Sequence, residues 1–122
     1  MIEIYRSSNT PIVINLNTDM ETIDEIEISI YSDNNSSSLA YTWNKETIII
    51  KDGLLYLPFT QAESSSLPVG IGHLEIKWLT TDGKIMFAKP ESIKIKTPNN
   101  LSVLGKDEKI IEPIVPGVIP DI

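Results

Sequence analysis

Cysteine is absent from the 122-residue chain, which excludes a disulfide framework and any thiolate metal site, whatever the compartment. Arginine is almost absent: Arg6 stands alone, every other basic side chain is a lysine, and the formal net charge is −7. Recognition of nucleic-acid phosphates relies on arginine forks and a basic field, so no nucleic-acid partner is expected. No stretch approaches the roughly 18 apolar residues of a membrane span, and Glu3 and Arg6 fall where the apolar core of a secretory signal would have to begin. A soluble, unprocessed chain without membrane contact is the expectation. Catalytic signatures are missing too. Ser64, Ser65 and Ser66 lack a Gly-x-Ser-x-Gly setting, no glycine-rich loop cradles phosphate, and no nucleophile pairs with a base and an orienting acid. The chain is read as no enzyme, with no cofactor.

What is present is a run of short strands. Ile26, Ile28 and Ile30 alternate with Glu25, Glu27 and Ser29, the period of two that gives a strand one dry and one wet face. Leu74, Ile76 and Trp78 repeat the pattern against Glu75 and Lys77, and Ile93 and Ile95 against Ser92, Lys94 and Lys96. Further strands are predicted at Ile2–Tyr5, Ile12–Leu16, Leu39–Trp43, Thr47–Lys51, Leu54–Phe59 and Ile85–Ala88, eight or nine in all. Asp52-Gly53 and Asp82-Gly83 each suit the positive φ values of a type I′ hairpin, so both predict antiparallel neighbours. The polar run 33–38 reads as an exposed loop at one end of the body.

One segment breaks the rhythm. Thr60 followed by Glu63 is a helix-capping box, so a single helical turn is predicted over 60–67, with Leu67 tucked under the body and Pro68 and Gly70 ending the turn. The sum is an all-β chain: an immunoglobulin-like antiparallel β-sandwich over residues 1–97 with one short helical turn. A small Greek-key barrel is the alternative. Trp43 or Trp78 takes the place that a disulfide occupies in antibody domains.

From Pro98 onward the pattern changes to an extended, Pro-rich apolar C-terminal arm, residues 98–122. Pro113, Pro116 and Pro120 prevent a helix and discourage a central strand. The isoleucines and valines have no intramolecular period to pack by, while disordered tails are usually charged and poor in aliphatic residues. Ile110, Ile111, Pro113, Ile114, Val115, Pro116, Val118, Ile119, Pro120 and Ile122 are therefore the candidate partner-binding residues, with a frayed terminus as the competing reading.

Other candidate sites are weaker. Asp19, Glu21, Asp24, Glu25 and Glu27 have the oxygens for calcium but not the spacing of a known calcium loop, and read as a solvated acidic edge that discourages edge-to-edge pairing. His73, the single histidine, falls on the solvent side of its strand. Tyr31 and Tyr41 flank the polar loop and are the candidate exposed pair for stacking on a sugar.

The succession of features carries a resemblance. Ile2-Glu3-Ile4-Tyr5, the strand around Ile26–Tyr31, Asp52-Gly53 leading into Leu54-Leu55-Tyr56-Leu57, Thr60-Gln61-Ala62-Glu63, Leu67-Pro68-Val69-Gly70, Leu74-Glu75-Ile76 and Thr81-Asp82-Gly83-Lys84 together resemble the N-terminal immunoglobulin-like domain of tailed-phage baseplate upper proteins and related virion proteins. The resemblance spans nearly all of the body. It implies a noncatalytic structural role, located in the virion after synthesis in the host cytoplasm, with other virion proteins (capsid, fibre, portal or tail subunits) as partners and many copies in a symmetric or homo-oligomeric assembly. Baseplate upper proteins are usually longer, so an accessory module is expected instead: a capsid decoration protein, a head-fibre base or a neck or tail connector. A carbohydrate-binding or host-surface adhesion module is the alternative function.

Overall fold

The computed structural model describes residues 1–33 and 38–110. Nine strands appear among them: β1 (Ile2–Tyr5), β2 (Ile12–Asn15), β3 (Ile23–Ser32), β4 (Ser38–Asn44), β5 (Ile49–Lys51), β6 (Leu54–Leu57), β7 (Gly70–Thr80), β8 (Ile85–Phe87) and β9 (Glu91–Lys96). A short helix, α1 (Gln61–Ser65), joins β6 to β7, and a 3₁₀ turn at Met20–Thr22 precedes β3. Two sheets face each other. The larger has the order β1-β9-β7-β3-β4, with β8 also paired to β7, and the smaller is β2-β6-β5.

The long strands β3 and β7 form the spine of the larger sheet. Ile26 pairs with Trp78, Ile28 with Ile76 and Ile30 with Leu74, and residues paired across strands share a face. That face is dry: Ile28, Ile30, Leu74 and Ile93 are buried against Leu55 and Leu57 of the smaller sheet. Between the two tryptophans, Trp43 takes the central place at 1% exposure, while Trp78 at 9% lies nearer the rim. The Trp43 indole N–H donates to the Pro58 carbonyl at 2.7 Å, so its one polar group is satisfied inside the core.

Three details depart from the sequence reading. Ser29 belongs to the wet face yet is buried, because it lies mid-sheet; its hydroxyl meets that of Thr42 at 3.1 Å. The Asp52-Gly53 turn has positive φ at both residues (52° and 76°), as a type I′ hairpin requires, whereas in the second hairpin only Gly83 is positive (88°). There the Gly83 N–H bonds the Thr80 carbonyl and Thr80 N–H the Lys84 carbonyl, so Asp82 keeps ordinary φ and a longer loop with a left-handed glycine closes the turn. Finally, β5 begins at Ile49 instead of Thr47, because Asn44 captures the backbone N–H groups of Glu46 and Thr47 in a local turn.

The last strand runs along the first. β9 lies antiparallel to β7 and parallel to β1, in the register Ile2–Ile93 and Ile4–Ile95. Pro90 separates β8 from β9 along the same flank of β7, since proline has no N–H to give to a ladder.

Candidate interaction site

Helix α1 has only five residues, far below the length at which a helix holds itself together, so its backbone must be satisfied from outside. Thr60 and Glu63 form the anticipated capping box: the Glu63 N–H donates to the Thr60 hydroxyl at 3.0 Å and the Thr60 N–H to the Glu63 carboxylate at 2.9 Å. That leaves the first two helical N–H groups. Asp107 takes both, accepting from Gln61 at 2.7 Å on one oxygen and from Ala62 at 3.0 Å on the other. The sequence offers no local sign of this, because the acceptor arrives from 46 and 45 residues away.

Asp107 belongs to the segment that follows β9, and the same segment is fastened at several more points. The Gln61 side chain donates to the Leu104 carbonyl at 2.8 Å and accepts from the Leu104 N–H at 2.9 Å. The Asn9 amide donates to the Glu108 carbonyl, the Ser7 hydroxyl to the Ser102 carbonyl, and Lys109 faces Glu63 at 3.7 Å. Compactness therefore extends beyond Thr97. Residues 98–110 carry no regular secondary structure, yet they are tied to α1 and to the β1–β2 connection instead of hanging free.

From below, α1 is held by the same connection. The buried Ser64 hydroxyl donates to the Ser8 carbonyl at 2.7 Å, and the Arg6 guanidinium donates to the Ser65 carbonyl at the C-terminal end of the helix, where cations are favoured. Glu63 also accepts from the Tyr41 hydroxyl at 2.7 Å. Burial alone pushes the Glu63 carboxyl up, but the Tyr41 hydroxyl, the Thr60 N–H and Lys109 outweigh it and hold the group below its ordinary value. Tyr41 moves the other way, well above the ordinary phenol, through burial first and the Glu63 carboxylate second.

Of the predicted partner-binding residues, Ile110 is the last one described, half-buried beside Lys109. Ile111, Pro113, Ile114, Val115, Pro116, Val118, Ile119, Pro120 and Ile122 lie outside the described residues. The tyrosine pair does not form a platform: Tyr41 shares the inner face with Ile30, its cross-strand partner, while Tyr31 is one position further along β3 and faces outward. Tyr31 stacks instead on His73, with ring centroids 5.4 Å apart. His73 is half-buried, 2.8 Å from Asp33 and 3.9 Å from Glu75. Among the described residues no group of three or more His, Asp or Glu side chains converges as a metal site, and no helix is long and apolar enough to cross a membrane. The exposed apolar surface includes Ile85 and Phe87 on β8, at 53% and 65%.

No family model matches the sequence, and no curated protein does. Among solved structures, the crystal structure of CopC from Methylosinus trichosporium OB3b is similar, with a TM-score of 0.50 and 15% identity over 83% of this chain and 88% of that one. The fold is an immunoglobulin-like β-sandwich. At that identity the likeness speaks for the fold alone.

Proposed function

We propose that this protein is a noncatalytic virion structural protein, an accessory assembly module of the capsid-decoration, head-fibre-base or neck and tail connector type, which anchors to neighbouring subunits through its sandwich and its C-terminal arm. The observation that supports this reading best is the Asp107 clamp. It fastens the chain just ahead of a proline-punctuated, largely apolar segment whose residues 113–120 carry no charge. A segment delivered from a fixed root loses less freedom on docking than one on a free linker, and prolines limit its unbound ensemble further. Each large aliphatic side chain buried on a partner contributes about 1.5–3 kcal/mol before ordering costs. Multiplicity in a symmetric particle then turns a modest single contact into firm retention, because local concentration is high. The resemblance to baseplate upper proteins points to the same class of role.

The test is a chain lacking residues 111–122, which spares the Asp107 and Lys109 contacts. The truncated sandwich is expected to unfold at an unchanged temperature while losing incorporation into phage particles. Incorporation at the level of the full chain overturns the proposal.

A further inference from the structure

Besides its two ends, the larger sheet has an open edge at β8, which pairs with β7 and with no other strand among the described residues. Hydrogen bonds show which groups that edge leaves free. The Thr80 N–H donates to the Lys84 carbonyl and the Ala88 N–H to the Ile76 carbonyl, on either side of the pair Trp78–Met86. Residues of an antiparallel ladder alternate in direction, so Lys84, Met86 and Ala88 turn their backbone to β7 while Ile85 and Phe87 turn theirs outward.

The side chains of this edge are open as well. Met86 is 41% exposed between the still more exposed Ile85 and Phe87. Natural edges are usually blunted by a bulge, a proline or a charge. β4, at one end of the same sheet, has the bulge, where its register with β3 shifts at Ile30/Tyr31. β8 has no such shift in its pairing with β7, and residues 85–88 carry neither proline nor charge.

The edge is complementary to itself. When two copies meet antiparallel about a two-fold axis at Met86, Ile85 exchanges N–H and C=O with Phe87 of the second copy, and Phe87 with Ile85 of the second copy. Residues paired in this way share a face, so the two exposed apolar side chains cover each other across the axis. The flanks agree in charge. Lys89, which makes no ion pair among the described residues, comes opposite Gly83 of the second copy, next to Asp82, whose side chain is 64% exposed. Lys84 comes opposite Ala88 on the other face of the sheet, away from Lys89 of the second copy.

We propose that β8 is a self-association edge: two copies pair β8 to β8 antiparallel and join their larger sheets into one continuous sheet. A ladder of three residues falls short of the roughly 1,200 Å² of a stable interface, so the contact is weak in dilute solution and strengthens with the number of copies held together. The inference goes beyond the reading above, because it concerns the sandwich edge whatever the arm binds.

The absence of native cysteine makes the test direct. Met86 lies on the axis in a non-hydrogen-bonded pair, where Cα atoms stand about 4.5 Å apart, within the roughly 4.4–6.8 Å that a disulfide spans. The full-length chain carrying Met86→Cys is oxidised mildly at high concentration. A disulfide-linked dimer is expected at ten times or more the yield given by Ile50→Cys, an exposed position on β5 in the smaller sheet. Adding Ile85→Glu and Phe87→Glu to Met86→Cys is expected to bring the yield down to that of the control while the thermal midpoint in dilute solution stays unchanged. Should Met86→Cys fold poorly, sedimentation equilibrium compares the parent chain with Ile85→Glu/Phe87→Glu, and self-association weaker by ten times or more is expected in the double variant. Equal cross-linking at Met86 and Ile50, or self-association unmoved by the double variant, overturns the proposal. If the 111–122 truncation abolishes particle incorporation while Met86→Cys cross-links no better than the control, only this inference falls. If cross-linking is specific while truncation leaves incorporation intact, the virion role of the arm falls and the edge stands.

Discussion

Replacing Asp107 with alanine tests the clamp by removing the carboxylate that accepts from two helical N–H groups. Loss of one capping oxygen costs about 0.5–2 kcal/mol, typically about 1, and Asp107 serves two donors at 2.7 and 3.0 Å from a half-buried position, so a cost of about 1–2 kcal/mol is expected. For a domain near 100 residues each kcal/mol lowers the thermal midpoint by roughly 4–8 °C. The effect on the linker is sharper. The same 1–2 kcal/mol raises the population with residues 101–109 detached by about 5–30-fold, and where cleavage is slow relative to reclosing, proteolysis follows that population. Trypsin cleavage after Lys109, which is tied to Glu63 in the closed form, is expected to accelerate by that factor. Asp107→Asn, which keeps one carbonyl oxygen, falls between. A variant whose urea midpoint and Lys109 cleavage rate both equal those of the parent refutes the clamp, because the linker must then be held by other contacts.

Gly72→Ala places a methyl group well inside contact distance of the Tyr31 backbone carbonyl on the neighbouring strand; a loss of at least about 2 kcal/mol is expected, read by chemical unfolding. Trp43→Phe strands the buried Pro58 carbonyl and leaves a cavity, for a loss of about 2–4 kcal/mol. The Tyr41–Glu63 pair predicts a stability profile with two shoulders. The folded Glu63 carboxyl lies below its ordinary value of 4.5, so its contribution is complete above that pH and is lost as pH falls through the folded value. Tyr41 is raised above 10.0, so its contribution is complete below that pH and is lost as pH rises further. Urea titrations of Glu63→Gln across the acid shoulder and Tyr41→Phe across the alkaline one should each show the corresponding slope removed, and a retained slope rejects the assignment.

The sandwich was legible because its signals are local. Alternation over Ile26–Ile30 and Leu74–Trp78 fixes which face is dry, and the capping box needs only Thr60 and Glu63. What escaped depends on separation along the chain. Asp107 meets Gln61 across 46 residues, and nothing near Asp107 distinguishes it from a solvated acid. Tyr31 and Tyr41 look equivalent beside the polar loop, but the pairing of Tyr41 with Ile30 sends them to opposite faces, and register of that kind follows from the whole sheet. Asp82-Gly83 shows a third limit: a dipeptide permits several turns, and here the Thr80 hydroxyl, which accepts from the Lys84 N–H at 2.9 Å, favours the longer loop.

The parallel alignment of β1 with β9 also sets a timetable for biosynthesis. β1 leaves the ribosome first but has no ladder to join until β9 follows some 90 residues later, a wait of about 5–20 s at ordinary elongation rates. Ser7 and Asn9, next to β1, wait equally for Ser102 and Glu108. A nascent chain consequently cannot close the larger sheet at β1, or fasten the segment after β9, until nearly all of the described residues have emerged.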